Sequence, residues 1–416
     1  MKLLLGHWIA FNDEGELIDE ARGALVLDQG RIVERGDAED LKRRYPAAEV
    51  IDHRGCWLMP GLIDAHVHYP QLPIIASHGE ALLEWLERYT FPEESKYRDF
   101  DYAQAQAAMY LDQSLAYGTT GSAVFATVHS ASAEALFQQA KRRGVRLATG
   151  KVLMDRNCPE NLRDTAISGY QESESLLQKW QGIDRLQYAI TPRFAPTSTP
   201  DQLAACAALW DAYPDALMQT HLSENEGELR WVAELFPQAM DYLHVYEQFD
   251  LVRPGALFGH AIHLSGREAA SIKERGATLV HCPTSNLFLG SGLFECMAHQ
   301  RADQRIALAS DVGGGSSLSM WTTMSAAYQV SALLGRVLSA RDLLYHASWG
   351  AAKSLGWNQV GNLEVGYEAD ILVVDPKATA LSELRVGRAE DLAEALFALI
   401  MLADDRHIRQ VYLGSA

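Results

Sequence analysis

The chain alternates between two patterns of apolar and polar residues. Short apolar runs are typical of buried strands, and segments in which apolar residues recur every three or four positions predict amphipathic helices. In the central part of the chain the runs predict eight strands, at Trp57–Ala65, Thr119–Phe125, Arg146–Met154, Leu186–Thr191, Ala216–Thr220, Ala256–Gly259, Thr278–His281 and Arg305–Ser310. The helical pattern lies between them, for example at Tyr102–Tyr117, Ser132–Arg143, Pro200–Tyr213, Glu226–Phe236 and Ser265–Arg275.

Strands that alternate with helices predict a parallel sheet. Eight such strands match a (β/α)₈ TIM barrel, an α/β fold whose active sites lie at the carboxyl ends of the strands. The alternative is a doubly wound sheet, which favours Gly-x-Gly-x-x-Gly after its first strand. Because no such sequence follows the first central strand, we predict the barrel.

Both ends of the chain carry strand patterns of their own. They lie at Lys2–Phe11, Ala24–Asp28, Arg31–Arg35, Glu49–Asp52, Gly361–Asp375 and Ile408–Leu413. We predict a small β-sandwich domain built from residues 1–58 and 359–416, with the barrel at 59–358. The long connection Tyr69–Asp99 is expected to be a lid or binding loop.

Composition narrows the classes of partner. The 416 residues include 36 Lys and Arg against 54 Asp and Glu, a formal net charge of −18 that disfavours nucleic acid and anionic membranes. The five Cys residues are scattered without a Cys-x-x-Cys motif, and no apolar segment is long enough for a signal peptide or a membrane span. We therefore expect a soluble cytoplasmic protein.

The candidate chemistry begins at the end of the first central strand, in the sequence PGLIDAHVH. Alternation along the strand places His66 and His68 on one face, which in a barrel is the interior at the carboxyl mouth. Two imidazoles this close at neutral pH are most readily explained by a shared cation, with a structural role as the alternative.

Further polar side chains follow other predicted strands: His221 and Glu224 the fifth, His260 the sixth and Asp311 the eighth. Imidazoles and a carboxylate around a divalent ion leave room for a water molecule, as in hydrolytic sites. Glu224 would act there as a proton carrier. The alternative places Glu224 in the first turn of a helix that a capping box at Ser223–Glu226 opens.

These residues, in this order, resemble the amidohydrolase superfamily. The resemblance runs from the N-terminal strands through PGLIDAHVH to GNLEVGYEADILVVD near the C-terminus. Several stretches are similar to guanine deaminases in particular: His68–Gln71, Leu82–Glu94, Pro192–Phe194, His221–Glu224, His281–Asn286 and Ser310–Gly315. Tyr69 departs from the alanine that those enzymes often carry, which crowds the loop beside Gln71.

The resemblance implies one zinc ion per chain, held by His66, His68, His221 and Asp311, with His260 contacting the bound water. Binuclear members usually add a carboxylated Lys on the fourth strand, but here the predicted fourth strand has no Lys and Lys151 falls on the third. A purine base would be held by Gln71, Arg193 and Phe194, beside His68, His221, Glu224 and Asp311. Related enzymes are often dimers, so a homodimer is also implied.

The expected chemistry is hydrolytic. Zinc lowers the pKa of its water to about 7, which supplies hydroxide at neutral pH. Asp311 and His260 are placed to accept the proton, and Glu224 would protonate N3 of guanine so that C2 is attacked and ammonia leaves.

Recognition of the base is expected from three residues. Arg193 can donate to O6, Gln71 can pair with a ring edge and Phe194 can cover a face of the base. Their alternatives are a surface salt bridge for Arg193, loop polarity for Gln71 and ordinary packing for Phe194.

The leading hypothesis is a guanine deaminase of purine catabolism, which converts guanine to xanthine and ammonia. A second hypothesis keeps the fold and the metal but changes the substrate to another amino-heterocycle, such as an oxidised guanine, a pterin or a triazine. A third is a barrel that has lost catalysis and serves as a binding or assembly protein, although such relatives typically lose metal ligands and the ones identified here are all present.

Overall fold

The computed structural model describes residues 1–78 and 82–414 of the chain. Its strands are β1 (Lys2–Phe11), β2 (Leu17–Glu20), β3 (Gly23–Asp28), β4 (Arg31–Asp37), β5 (Glu49–Pro60), β6 (Leu62–His68), β7 (Thr119–Phe125), β8 (Arg146–Gly150), β9 (Val152–Leu153), β10 (Leu186–Pro192), β11 (Leu217–Leu222), β12 (Ala256–His260), β13 (Thr278–His281), β14 (Arg305–Leu308), β15 (Ile371–Val374) and β16 (Ile408–Tyr412).

The helices lie mainly between these strands. They are α1 (Ala38–Arg44), α2 (Leu82–Trp85), α3 (Phe91–Glu94), α4 (Phe100–Ala116), α5 (Ser130–Arg143), α6 (Ala166–Trp180), α7 (Pro200–Ala212), α8 (Glu226–Leu235), α9 (Tyr242–Glu247), α10 (Gly266–Glu274), α11 (Pro283–Phe288), α12 (Cys296–Arg301), α13 (Met320–Leu333), α14 (Ala340–His346), α15 (Trp349–Ser354), α16 (Ala380–Val386) and α17 (Leu392–Leu402). Short 3₁₀ or π segments lie at Tyr69–Ile74, Leu86–Thr90, Ser95–Arg98, Glu160–Leu162, Ala195–Thr197 and Asp405–His407.

The predicted (β/α)₈ barrel is confirmed. In the described part of the chain, eight parallel strands form its wall in the order β6, β7, β8, β10, β11, β12, β13 and β14, and the short β9 pairs with β10. Backbone hydrogen bonds link the first strand to the segment after the last. The N–H of Asp311 donates to the carbonyl of His66 (2.9 Å), and the N–H of His68 donates to the carbonyl of Val312 (2.7 Å).

A register irregularity in β6 decides which of its side chains point into the barrel. The pairing with β7 shifts between Asp64 and Val67, where three steps along β6 oppose two along β7. Ile63, before the shift, and Ala65, within it, belong to the apolar cluster of the barrel strands. His66, within the shift, and His68, after it, meet the other candidate ligands. Such bulges re-aim side chains and recur beside active sites.

Helices cover the outside of the barrel wall. The apolar core between wall and helices includes Leu136 of α5, Leu203 of α7 and Ile272 of α10, all fully buried. A capping box of Ser265 and Glu268 begins α10, as is common at helix N-termini. None of the described helices is both long and apolar enough to cross a membrane.

Strands from both chain ends form a second sheet, which confirms the small β domain. Within the described residues its seven strands run in the order β16, β15, β5, β1, β3 and β4, and β2 pairs with β1. One face carries an apolar cluster around Leu4, Leu25 and Ile371. The alternate residue Leu3 faces the other side and packs near Leu41 of α1, so both faces are covered. The exact domain boundaries stay a prediction.

The predicted first barrel strand, Trp57–Ala65, was wrong at its start. Trp57–Pro60 is the end of β5, which pairs with β15 in the small domain, and the barrel strand is β6. Gly61 lies between the two strands. A side chain does not fit at this position, because an added Cβ would lie 2.1 Å from Oγ1 of Thr120. The apolar run continues through both strands, so hydrophobicity carries no signal of the boundary. Similarly, the predicted strand Arg146–Met154 is divided into β8 and β9.

Buried ion pairs connect the barrel to the small domain. Arg185, just before β10, pairs with Asp370 and, at 2.9 Å, with Glu368, which lies just before β15. Arg146 also pairs with Glu368, at 2.5 Å. The side chains of Arg185 and Asp370 are only 7% and 1% exposed, so each charge depends on the other for compensation.

Arg185→Ala is therefore expected to destabilise the protein by about 3–5 kcal/mol, because it leaves a buried carboxylate unpaired. Chemical denaturation measures the effect. The control is Arg406→Ala, because the pair of Arg406 with Asp404 is largely exposed, at 67% and 37%, and its loss is expected to change the stability far less. Equal losses in the two variants would contradict the assignment of a buried link.

Candidate active site

The barrel brings the predicted polar residues together at its carboxyl mouth. His66 and His68 lie at the end of β6, His221 is the penultimate residue of β11, and Asp311 follows β14 by three residues. One potential ligand atom from each of these four residues lies within 4.8 Å of the others. His260 ends β12 and approaches the same group, with Nε2 3.6 Å from Oδ2 of Asp311.

The distances within this group are those of atoms arranged around a common point. Nε2 of His66 and Nε2 of His68 lie 3.3 and 3.5 Å from Oδ1 of Asp311. The Nε2 atoms of His68 and His221 are 3.2 Å apart. Nε2 of His66 is buried without a hydrogen-bond partner, which is costly unless another group binds it. A divalent cation among the four atoms would satisfy this arrangement.

The ionisation of the group also suits a cation. Burial lowers the pKa of His66, and lowers those of His68 and His221 well below the ordinary value, so the imidazoles are neutral. Burial alone would raise the pKa of Asp311, but the adjacent imidazoles of His66, His260 and His68 hold it far below its usual range. Three neutral nitrogens and one carboxylate oxygen form a donor set that fits zinc.

Neighbouring acceptors fix how two of the imidazoles are turned. Nδ1 of His221 lies 2.6 Å from the carbonyl oxygen of Arg193, and Nδ1 of His260 lies 2.9 Å from Oδ1 of Asn286. Because both partners can only accept, each Nδ1 carries the hydrogen and each Nε2 faces the site. Such outer contacts commonly orient metal-ligating histidines.

Glu224 lies beside this group as a buried carboxylate. Its Oε2 is 3.4 Å from Nε2 of His260, and its Oε1 accepts a hydrogen bond from Oγ of Ser291 (3.1 Å). Burial raises the pKa of Glu224 to about 7, a value suited to gaining and losing a proton near neutral pH. Burial acts against the charged form of His260 too, but the carboxylates of Glu224 and Asp311 raise its pKa overall.

The predicted capping box at Ser223–Glu226 was wrong. Asn225 is the N-cap of α8, and Glu228 completes the capping box. Ser223 has a left-handed φ of 51°, which turns the chain before the helix begins. Glu224 therefore precedes the helix, and the buried carboxylate of Glu228 accepts the backbone N–H of Glu224 at 2.9 Å. The short polar run allowed two capping registers, and the turn selects the later one.

The residues predicted to hold a base line the same cavity. Its lining consists of His68, Gln71, Trp85, Leu86, Arg193, Phe194, His221, Glu224, His260, Leu289, Asp311 and Gly314, around about 410 Å³ of space. Phe194 contacts the rings of His221 and Trp231, with centroids 6.4 and 6.1 Å apart. The connection between β6 and α4 contributes Trp85 and Leu86. Gly79–Ala81 of this predicted loop lie outside the described residues.

Arg193 does not form a surface salt bridge. Its Nη1 donates to both carboxylate oxygens of Glu94, at 3.0 and 2.8 Å, and the two side chains are 3% and 0% exposed. Gln71 joins the same carboxylate, since its Nε2 donates to Oε1 of Glu94 (2.9 Å). The N–H of Gly313 donates to the amide oxygen of Gln71 at 3.2 Å.

The sequence reasoning assigned no role to Glu94 or Asn286. Both fall within stretches that resemble guanine deaminases, which was the only available signal. Lys151, by contrast, is fully buried away from the site and pairs with Asp164 at 2.7 Å and Glu172 at 3.2 Å. The fourth barrel strand, Leu186–Pro192, carries no Lys.

Comparisons with known proteins agree with this geometry. A model of the amidohydrolase family matches residues 57–415, and a model of the imidazolonepropionase-like composite domain of bacteria matches residues 23–48. The guanine deaminase of Escherichia coli strain K12 is 42% identical over 393 residues, which cover 94% of this chain and 90% of that protein.

Solved structures give the same result. The structure of E. coli guanine deaminase has a TM-score of 0.97 at 40% identity and covers 100% of this chain and 98% of that one. The structure of guanine deaminase from C. acetobutylicum, with guanine bound in its active site, has a TM-score of 0.92 at 31% identity and covers 100% and 99%. The chain therefore belongs to the amidohydrolase family and, within it, to the guanine deaminases.

Proposed function

We propose that this protein is a zinc-dependent guanine deaminase, which hydrolyses guanine to xanthine and ammonia. The observation that carries the proposal is the convergence of four metal-ligand atoms within 4.8 Å of one another, in a cavity that also holds a buried carboxylate at Glu224. Guanine deaminases at up to 42% identity along most of the chain support the substrate.

His66, His68, His221 and Asp311 would hold one zinc ion per chain. When bound, zinc lowers the pKa of a water molecule to about 7 and so supplies hydroxide at neutral pH. The donor set of three neutral imidazoles and one carboxylate supports a single ion with an open position. The fourth barrel strand offers no Lys for a second ion.

The residues around the ion would move the protons. His260 and Asp311 accept a proton from the attacking water and aim its oxygen at C2 of guanine. Glu224 would donate a proton to ring atom N3, which makes C2 electron-poor. It would then pass the proton that remains on the attacking oxygen to the amine, so that ammonia leaves and the oxygen becomes the 2-oxo group of xanthine. The proton first accepted from the water returns to Glu224 for the next cycle. The pKa of about 7 at Glu224 supports both the donating and the accepting step.

The opposite side of the cavity would recognise the base. Arg193 donates to the carbonyl oxygen O6, and Gln71 pairs with a polar ring edge through the part of its amide left free by Glu94 and Gly313. Phe194 covers a face of the ring. All three residues line the cavity. A homodimer, a cytoplasmic location and a place in purine catabolism stay predictions from the sequence.

Metal analysis of the purified protein is expected to find about one zinc ion per chain, since the four donor atoms form a single metal site. Removing the metal with a chelator is expected to abolish the disappearance of guanine, followed by absorbance, and adding zinc back to restore it. A metal-free protein with full activity would refute the proposal. Triazine, pterin and oxidised-guanine substrates in the same assay test the alternatives.

Glu224→Gln is expected to keep its zinc and to lower kcat by about 10²- to 10⁴-fold, because the amide cannot carry the proton. Zinc content and kcat are measured on the same sample. Glu226→Gln is the matched control, because the Glu226 side chain is 75% exposed only two residues away, and it should retain kcat. Undiminished turnover in Glu224→Gln would exclude the proton-carrier role.

Arg193→Ala is expected to raise KM for guanine by about 10- to 100-fold, the cost of a lost charged hydrogen bond. Zinc should stay bound, because the substitution keeps the backbone carbonyl that holds Nδ1 of His221. Steady-state kinetics and metal analysis test both statements. Loss of zinc with unchanged KM would show that Arg193 serves the metal site and does not hold the base.

A further inference from the structure

Glu94 lies behind the cavity and contacts two of the residues that line it. Glu94 is the last residue of α3, and its side chain is fully buried. It accepts hydrogen bonds from Nη1 of Arg193 at 3.0 and 2.8 Å and from Nε2 of Gln71 at 2.9 Å. Gln71 lies in the segment that follows β6 and Arg193 comes directly after β10, so this single carboxylate joins two sides of the cavity wall.

The contacts fix the orientation of both partners. The amide of Gln71 is held at both ends, because Gly313 donates to its oxygen at 3.2 Å while its nitrogen donates to Glu94. The guanidinium of Arg193 also lies over the ring of Phe91, the first residue of α3, at 5.7 Å from the centroid. Helix α3 therefore supplies both the carboxylate and the ring that set the plane of the guanidinium.

The pair also sets the charge of this side of the cavity. Arg193 is 3% exposed, so its charge would be costly without a partner, and the carboxylate compensates it. A compensated guanidinium still donates hydrogen bonds but offers little net attraction to an anion. Its best ligand is a neutral acceptor such as a ring carbonyl, which is the group that guanine presents at position 6.

We propose that Glu94 is a positioning residue that determines substrate specificity. By orienting Arg193 and Gln71 and compensating the cation, it makes the cavity select a neutral purine with a 6-oxo group. This inference rests on the proposed function, because it assumes that the cavity binds a purine. Glu94 touches Arg193 and Gln71 rather than the substrate, so it acts through them.

Two ligands distinguish a role of Glu94 in recognising the 6-oxo group from a general role in binding any purine. Hypoxanthine has the 6-oxo group of guanine but no 2-amino group to hydrolyse, and unsubstituted purine has neither. Calorimetric titration of the zinc-loaded protein measures both affinities without turnover. Glu94→Gln is expected to weaken the binding of hypoxanthine by about 10- to 100-fold. Arg193 is then no longer held in the orientation in which its charged N–H groups donate to the 6-oxo oxygen. The affinity for purine, which makes no 6-oxo contact, should change by less than about threefold.

Glu93→Gln is the matched control. Glu93 precedes Glu94 in α3 and is also buried, at 5% exposure, but its carboxylate binds Lys96 and Tyr102. Its substitution should leave the ratio of the two affinities unchanged. If Glu94→Gln fails to fold, Glu94→Asp keeps the charge on a shorter side chain and should weaken hypoxanthine by several-fold more than purine.

The outcomes separate the inference from the proposed function. Equal weakening of both ligands in Glu94→Gln or Glu94→Asp, or wild-type affinity for hypoxanthine, would overturn the role of Glu94. A wild-type protein that deaminates guanine but binds both ligands equally would also overturn it and leave the proposed function standing. A wild-type protein that does not consume guanine would overturn the proposed function itself.

Discussion

The site depends on one constraint: three imidazoles and a carboxylate are buried so close together that they cannot satisfy one another. The Nε2 atoms of His68 and His221 face each other at 3.2 Å, and burial keeps both rings neutral. Neutral nitrogens offered to a common point bind a cation better than they bind each other. The β6 bulge, the closing hydrogen bonds of the barrel and the carbonyl oxygen of Arg193, which accepts from Nδ1 of His221, all maintain this convergence.

The convergence was predictable because it follows from topology. In a parallel barrel the carboxyl ends of all strands meet at one rim, whatever their separation in sequence, so histidines and aspartates at strand ends must approach one another. The barrel could therefore be predicted from the alternating strands and helices. The residues of the site could be predicted from their positions at strand ends: His66, His68, His221, His260 and Asp311.

What could not be predicted lies outside that rule. Glu94 and Arg193 are 99 residues apart, and no periodic pattern relates a short helical turn to a barrel strand. The capping register at Asn225 depends on the left-handed turn at Ser223, which a run of polar residues does not specify. The start of β6 was missed because apolar character continues from one sheet into the next, and the boundary lies at Gly61, where a Cβ would clash with Thr120.

Under the proposed function, the two ends of the cavity have different electrostatic tasks. At one end, four donor atoms would hold the cation, and burial raises the pKa of Glu224 to about 7, so this end can exchange protons near neutral pH. At the other, the charges of Arg193 and Glu94 compensate one another. A purine with an amine at one edge and a carbonyl at another can satisfy both ends in one orientation only. The same compensation that makes the buried arginine tolerable thus also points the reactive carbon toward the metal ligands.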